Sequence, residues 1–203
     1  AENKPLGKEQ WFVLIAAFLG WMFDGLEMGL FPLAARPALR NLMNMPSEAA
    51  VGEWYSYLVA LFLVGAAVGG LIFGWLGDRI GRVRTMALSI AVYAGFTGCC
   101  FFVTAPWQLG MFRFLAALGM GGEWALGVAL VMECWPEKLR PILAGVIGAA
   151  ANFGFLGISV VGLCFEVTIE SWRWMMLAGA APGVLAFLVI AFIPESERWR
   201  ESV

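Results

Sequence analysis

The sequence contains no histidine, and this absence removes several kinds of functional site at once. Histidine is the usual zinc ligand, the general base of Ser-His and Cys-His nucleophile pairs, and a common proton relay. No nucleotide-binding loop or metal-ligand cluster takes its place. We therefore expect no enzymatic activity, no cofactor, no metal and no nucleic-acid partner.

Cysteine is scarce as well, with four residues in the whole chain. Cys99, Cys100, Cys134 and Cys164 lie in apolar segments or at their ends. A thiol in such surroundings behaves as a small hydrophobic side chain. We expect no disulfide.

Charge is the third scarce feature. Charged residues make up 14% of the chain and hydrophobic residues 61%, and the mean hydropathy is +0.81. Six apolar runs are each long enough, at about 1.5 Å per residue, to cross a hydrocarbon core of about 30 Å. They cover residues 11–33, 54–76, 86–104, 107–134, 142–166 and 174–193. The predicted fold is an all-α integral membrane protein, with residues 1–203 forming one six-helix transmembrane bundle in the lipid bilayer.

The distribution of basic residues predicts the orientation of this bundle. We expect the first run to be retained rather than removed as a signal peptide, because the preceding residues are polar and no small-residue cleavage site follows. If the runs alternate in direction, most basic residues fall on one side: Lys4, Lys8, Arg79, Arg82, Arg84, Lys138, Arg140, Arg198 and Arg200. Only Arg36, Arg40 and Arg173 fall on the other. By the positive-inside rule we expect both termini to be cytoplasmic. The membrane that we expect the protein to span is the cell's inner (plasma) membrane.

A glycine-bearing, charge-dense segment joins the second and third runs: Gly74-Trp75-Leu76-Gly77-Asp78-Arg79-Ile80-Gly81-Arg82-Val83-Arg84. It cannot lie in hydrocarbon, so it must be a tight turn at the membrane surface. The segment resembles the signature loop of the major facilitator superfamily. Arg113 followed by Gly119-Met120-Gly121-Gly122-Glu123 resembles the companion motif in the fourth helix of that superfamily.

Three further segments resemble particular branches of the superfamily. Residues 133–140 and 194–199 are similar to the inner-face elements of sugar porters and related proton symporters, whereas residues 24–27 are similar to sialate, lactate and aromatic-acid proton symporters. The resemblance implies an N-terminal six-helix half made of two inverted three-helix repeats. It also implies a second six-helix half as partner, either a missing C-terminal half or a second copy of this chain.

Two carboxylates interrupt the first apolar run. Asp24 and Glu27 are three residues apart, so they share one face of a helix. Charges at such depth are costly unless they face a cavity or a partner. Glu27 and Arg113 each lie about 9 Å from the same membrane surface, counted along their helices, so they can meet. We expect Glu27, with Asp24 as the competing candidate, to bind the transported proton and Arg113 to tune it; a static structural ion pair is the alternative.

Glu123 follows Trp107 at the spacing at which Glu27 follows Trp11. If the two triplets of helices are inverted repeats, the two glutamates occupy equivalent places at opposite depth. Two interpretations of Glu123 stay open: it lines the substrate cavity, or it accepts a hydrogen bond from a neighbouring helix.

Charges of both signs gather at the helix ends that we predict to be cytoplasmic. An ion-pair network that exists in one conformation and breaks in another can bias a two-state equilibrium. We expect an inner-face gating network made of Gly74, Asp78, Arg79, Gly81, Arg82, Glu133, Arg140, Glu195 and Arg198. A solvated interface with positive-inside bias is the alternative.

These features together predict a proton-coupled symporter of a small polar metabolite, with an organic acid expected as substrate. Trp21 and Trp124 lie within predicted spans near Asp24 and Glu123, where they could stack on a ring-bearing substrate; a lipid-facing or packing role is the alternative. A sugar porter is the alternative within transport. A non-transporting receptor or assembly protein with the same fold is the alternative outside it.

Overall fold

The computed structural model describes residues 7–193 together with 195 and 199. Within these residues all regular structure is helical. The α-helices are α1 (Lys8–Leu42), α2 (Glu48–Ile80), α3 (Arg82–Cys99), α4 (Pro106–Cys134), α5 (Arg140–Cys164), α6 (Trp172–Ala178) and α7 (Gly183–Phe192). Six spans in the described part of the chain are long and apolar enough to cross a membrane, and α6 with α7 forms the sixth.

Helix α1 is longer than the first apolar run. It continues through Pro32 and Pro37 to Leu42, although the composition after residue 32 predicts a loop. Proline weakens a helix interior, but packing compensates here, because Ala34 and Leu39 are completely buried. The outer connection therefore shrinks to residues 43–47 before Ser47 caps α2.

The sixth span is divided by a tight turn. Pro182 has no backbone N–H, and the residues around it bond three positions back, with Ala181 donating to Ala178 and Gly183 to Ala180. The span is thus two short helices, α6 and α7, in place of the one predicted.

The loop between α2 and α3 is a single residue. Gly81 has a φ of +109°, a conformation that residues with a Cβ rarely adopt. This glycine lets two long helices reverse direction at once. We call this end of the bundle the signature-loop end; it also carries the start of α1 and the end of α4.

Two glycine-rich helix crossings reveal the internal symmetry. The interfaces of α1 with α5 and of α2 with α4 are the most extensive in the bundle. Each holds two close backbone approaches at a glycine: Gly25 to Ala151 and Gly154 to Met22 in the first, Gly121 to Ala66 and Gly69 to Leu118 in the second. One constant shift in numbering carries α1 onto α4, and another carries α2 onto α5.

The bundle is therefore two three-helix repeats, residues 8–102 and residues 106–192. They are inverted, because α1 begins at the signature-loop end whereas α4 ends there. The shift that carries Met22 onto Leu118 and Gly25 onto Gly121 also carries Glu27 onto Glu123. The two glutamates thus occupy equivalent positions on equivalent helices.

Candidate functional site

The bundle interior contains an ion pair between Glu27 of α1 and Arg113 of α4. Both side chains are sealed from solvent, with exposed fractions of 0% and 1%. The contact is bidentate: Nη1 of Arg113 donates to Oε1 of Glu27, and Nη2 donates to Oε2 at 3.3 Å. The hydroxyl of Thr97 on α3 donates to the same Oε1 at 3.3 Å. Three helices therefore meet at one carboxylate.

Aromatic rings enclose the guanidinium of Arg113. Its Cζ atom lies 4.2 Å from the ring centroid of Phe31 and 5.2 Å from that of Phe62. Cation–π attraction partly replaces the lost hydration of the guanidinium. Its Nε has no hydrogen-bond partner among the described residues. The arginine is held in place without using all of its donors.

Asp24 and Glu123 lie apart from that ion pair. Asp24 is 8% exposed and Glu123 is fully buried. Within the described part of the chain, both carboxyl oxygens of Glu123 lack a hydrogen-bond partner, and so does Oδ1 of Asp24. Glu123 packs against Gly20, leaving no room for a side chain there. The predicted hydrogen bond from a neighbouring helix to Glu123 is therefore not seen among these residues.

A groove of about 580 Å³ opens between α1, α2, α4 and α5. Trp21, Asp24, Phe62, Gly70 and Trp124 are among the residues that line it. The indole rings of the two tryptophans pack at 5.8 Å between centroids. Asp24 is the one charged lining residue in the described part of the chain, so the groove is an aromatic, mostly apolar surface with one acidic group.

A second cluster of charges lies at the signature-loop end. Arg82 contacts Asp78 at 2.7 Å and Glu133 at 3.3 Å, which ties the short loop to the end of α4. Oε1 of Glu195 accepts a hydrogen bond from the backbone N–H of Val83 at 2.9 Å. The side chain of Glu195 also lies against Gly81, in contact with the first turn of α3.

Other residues of the predicted gating network lie outside this cluster. Arg79 stacks on Trp75 with its Cζ atom 4.3 Å from the ring centroid, and Arg140 pairs with Glu137 in its own turn at 3.3 Å. Gly74 has open space where a side chain would be. Arg198 lies outside the described residues.

Sequence reasoning missed the contributions of α3 to this site. Ser89, Tyr93 and Thr97 are spaced four residues apart and are all completely buried. A stripe of hydroxyl groups at helical spacing in an apolar span is the signal that could have revealed them, since it marks a face turned toward polar partners. Ser89 donates to the carbonyl of Gly119 on α4, and Thr97 donates to Glu27.

Comparison with known proteins now places the fold. The Sugar (and other) transporter family matches residues 12–202. The chain belongs to this family of transporters. It corresponds to the N-terminal half of a major facilitator superfamily protein. The six apolar spans among its described residues make it a multi-pass membrane protein.

Two curated relatives of this family member come from Acinetobacter baylyi. The 4-hydroxybenzoate transporter PcaK is 31% identical over 97% of this chain and 42% of its own length. The niacin transporter NiaP is 29% identical over 96% of this chain and 43% of its own length. The chain thus spans less than half the length of these relatives.

The fold has a close match among solved structures. The Escherichia coli xylose transporter XylE, in a partially occluded inward-open conformation, superimposes with a TM-score of 0.82 at 20% identity. The match covers 97% of this chain and 51% of XylE. At this level of identity the likeness concerns the fold.

Proposed function

We propose that this chain is the N-terminal half of a proton-coupled symporter that moves a small organic acid by alternating access. The observation that carries the proposal is the buried pair of Glu27 and Arg113, one titratable group and one fixed cation deep in the spans, with Phe62 lying between Arg113 and the groove that it lines. Intramembrane charges of this kind mark ion and substrate pathways.

The pair offers a physical means of coupling. While Glu27 is ionised, it neutralises Arg113 and the pair carries no net charge. When Glu27 takes up a proton, Arg113 loses its counter-ion and becomes an uncompensated cation near the groove. A substrate carboxylate can then replace the lost charge. Proton and organic anion would thus favour each other's binding, as symport requires.

The groove favours a ring-bearing acid as substrate. Its tryptophans, Trp21 and Trp124, present flat apolar surface, and Asp24 can accept a hydrogen bond from a hydroxyl or N–H group on the ring. Relatives such as the 4-hydroxybenzoate and niacin transporters have names that point to acids of this shape.

A sugar is the second candidate substrate, because the chain matches the sugar transporter family and the fold of a xylose transporter. A sugar carries many hydroxyl groups that need hydrogen-bond partners. Among the described residues of this half, the groove offers one carboxyl group and two indole rings, which fits an aromatic acid better. A non-transporting receptor or assembly role is the third alternative.

The orientation belongs to the same proposal. Basic residues at the end of α2, at the start of α3 and at the start of α5 all lie at the signature-loop end. We place the protein in the inner membrane with the signature-loop end in the cytoplasm, as the positive-inside rule favours. Both ends of this six-span unit are then cytoplasmic.

The test is counterflow and uptake with labelled aromatic acids and sugars, using the complete transporter in proteoliposomes. The proposal expects acid uptake that a proton gradient drives uphill and an ionophore abolishes. Uptake of sugars alone would favour the sugar porter. Binding without any uptake would favour the receptor role.

A further inference from the structure

Glu123 is a buried acid to which no described residue donates a hydrogen bond. Its side chain is 0% exposed, and both carboxyl oxygens lack a hydrogen-bond donor among the described residues. On α1, Gly20 approaches so closely that a methyl group there would overlap the carboxyl group of Glu123. The contrast with Glu27, which has a bidentate arginine and a hydroxyl donor, is complete.

The ionisable groups around Glu123 leave its charge unbalanced. Helix α1 supplies the acids Asp24 and Glu27, and α3 supplies Tyr93, which packs against Gly119 one turn before Glu123. Arg113, on the same helix as Glu123, is already paired with Glu27. The hydroxyl of Tyr93 is itself buried and unpartnered in the described part of the chain.

A fully buried carboxylate without a cation or a hydrogen-bond donor from the described residues is far too costly to persist. The carboxylic acid form removes the charge and supplies an O–H donor. Asp24 is suited to deliver the proton, because it lines the groove and lies one helical turn along α1 from Gly20, against which the carboxyl group of Glu123 packs.

We propose that Glu123 is a second proton-binding site, reached from the groove through Asp24. In the transfer step the O–H bond of protonated Asp24 breaks and an O–H bond forms on Glu123. Asp24 is left as a carboxylate that can take another proton from groove water. The inference extends the proposed symport, because the inverted repeats would then carry one proton site each, at Glu27 and at Glu123.

The site can be tested on the complete transporter in lipid nanodiscs, without measuring transport. Infrared spectroscopy at neutral pH should show the C=O stretching band of a protonated carboxyl group. Glu123→Gln should remove this band. Glu170→Gln, the same chemical change at an exposed position beyond α5, should leave it in place. A parent protein without the band, or a Glu123→Gln spectrum identical to that of the parent in this region, overturns the proposal.

A second pair of variants guards against misfolding of Glu123→Gln. Gly20→Ala presses on the carboxyl group and should shift the band frequency, whereas Gly148→Ala adds a methyl group in open space and should not. Identical bands in Gly20→Ala and the parent would show that the protonated carboxyl group is not that of Glu123, and would overturn the proposal. Loss of the band on adding sodium would identify a cation site and likewise overturn the proposal.

The delivery role of Asp24 has its own readout. After transfer into heavy water, the Glu123 band should shift more slowly in Asp24→Asn by about tenfold or more, because the groove-side acid is missing. An unchanged exchange rate would remove Asp24 from the route. Failure of proton-driven uptake would overturn the symport proposal while leaving these spectra valid, so the two proposals can fail separately.

Discussion

At the scale of single residues, the most consequential contact is the buried pair of Glu27 and Arg113. Arg113→Met should lower the free energy of unfolding by about 3–5 kcal/mol, because it leaves the Glu27 carboxylate buried without its cation. Equilibrium unfolding in mixed micelles measures the loss. Glu27→Gln combined with Arg113→Met should recover much of it, since no charge is then left unpaired.

The matched control for this pair is the ion pair of Arg36 with Glu48. These side chains are 54% and 63% exposed, and Nη1 of Arg36 lies 3.7 Å from Oε2 of Glu48. Arg36→Met should change the free energy of unfolding by less than about 1 kcal/mol. Equal losses in Arg36→Met and Arg113→Met would show that burial does not set the value of the Glu27 pair.

Glu27 is also the residue on which we predict that the coupling of proton movement to substrate transport depends. Glu27→Gln keeps the shape of the side chain and resembles the protonated acid, with one donor and one acceptor group, but it cannot take up or release a proton. Proton-driven uphill uptake should be abolished, whereas exchange of labelled for unlabelled substrate should continue, because exchange needs no net proton movement. Flux measured with and without a pH gradient separates the two. Unchanged uphill uptake would refute the assignment.

At the scale of helices, the close crossings depend on glycine. A methyl group on Gly154 would overlap the carbonyl oxygen of Met22, and one on Gly69 would overlap that of Leu118. Gly154→Ala and Gly69→Ala should each cost about 1–3 kcal/mol, as overpacking does in a closely packed interior. Gly157→Ala, which faces open space on α5, should be close to neutral in the same unfolding measurement. Equal effects at all three positions would refute the crossing argument.

The signature-loop end holds the prediction on gating. Arg82 joins Asp78 to Glu133, so Asp78→Asn should loosen this end and favour a state that opens there. Cys134 at this end of α4 should then react faster with a maleimide, and Cys164 at the far end of α5 should react more slowly. Glu137→Gln, whose partner Arg140 lies within one helical turn, should leave both rates unchanged. Equal rates in Asp78→Asn and the parent would count against a gate.

Much of the helical framework could be predicted from the sequence, because apolar runs in lipid have few structural solutions. The end of α1 could not, since its prolines signal a loop and only the buried contacts of residues such as Ala34 keep the helix going. Counting depth along α1 and α4 suffices to expect Glu27 near Arg113. Thr97 escapes this depth argument, because a single hydroxyl in an apolar span carries no charge, and only its spacing with Ser89 and Tyr93 marks a polar face of α3.

At the scale of the whole molecule, one apolar face of the bundle is left largely exposed. Only 22% of the most apolar stretch of α2, and 22% of that around α5, is buried, and the groove opens between these helices. In the superfamily, substrate sites lie between two six-helix halves related by an axis along the membrane normal. A second half packed over this face would convert the open groove into an enclosed site.

This arrangement predicts that the groove can be blocked without harming the fold. A Cβ atom on Gly70 would lie no closer than 3.5 Å to its neighbours, so Gly70→Leu should fold normally while its side chain fills part of the groove. Substrate counterflow by the complete transporter should fall by about tenfold or more, in line with about 1.4 kcal/mol or more of lost binding. Gly95→Leu on α3, where the added side chain also meets open space and does not line the groove, is the control and should transport normally. If Gly70→Leu transports as well as the parent, substrate passes without touching this half, and the groove is only a surface on which the second half packs.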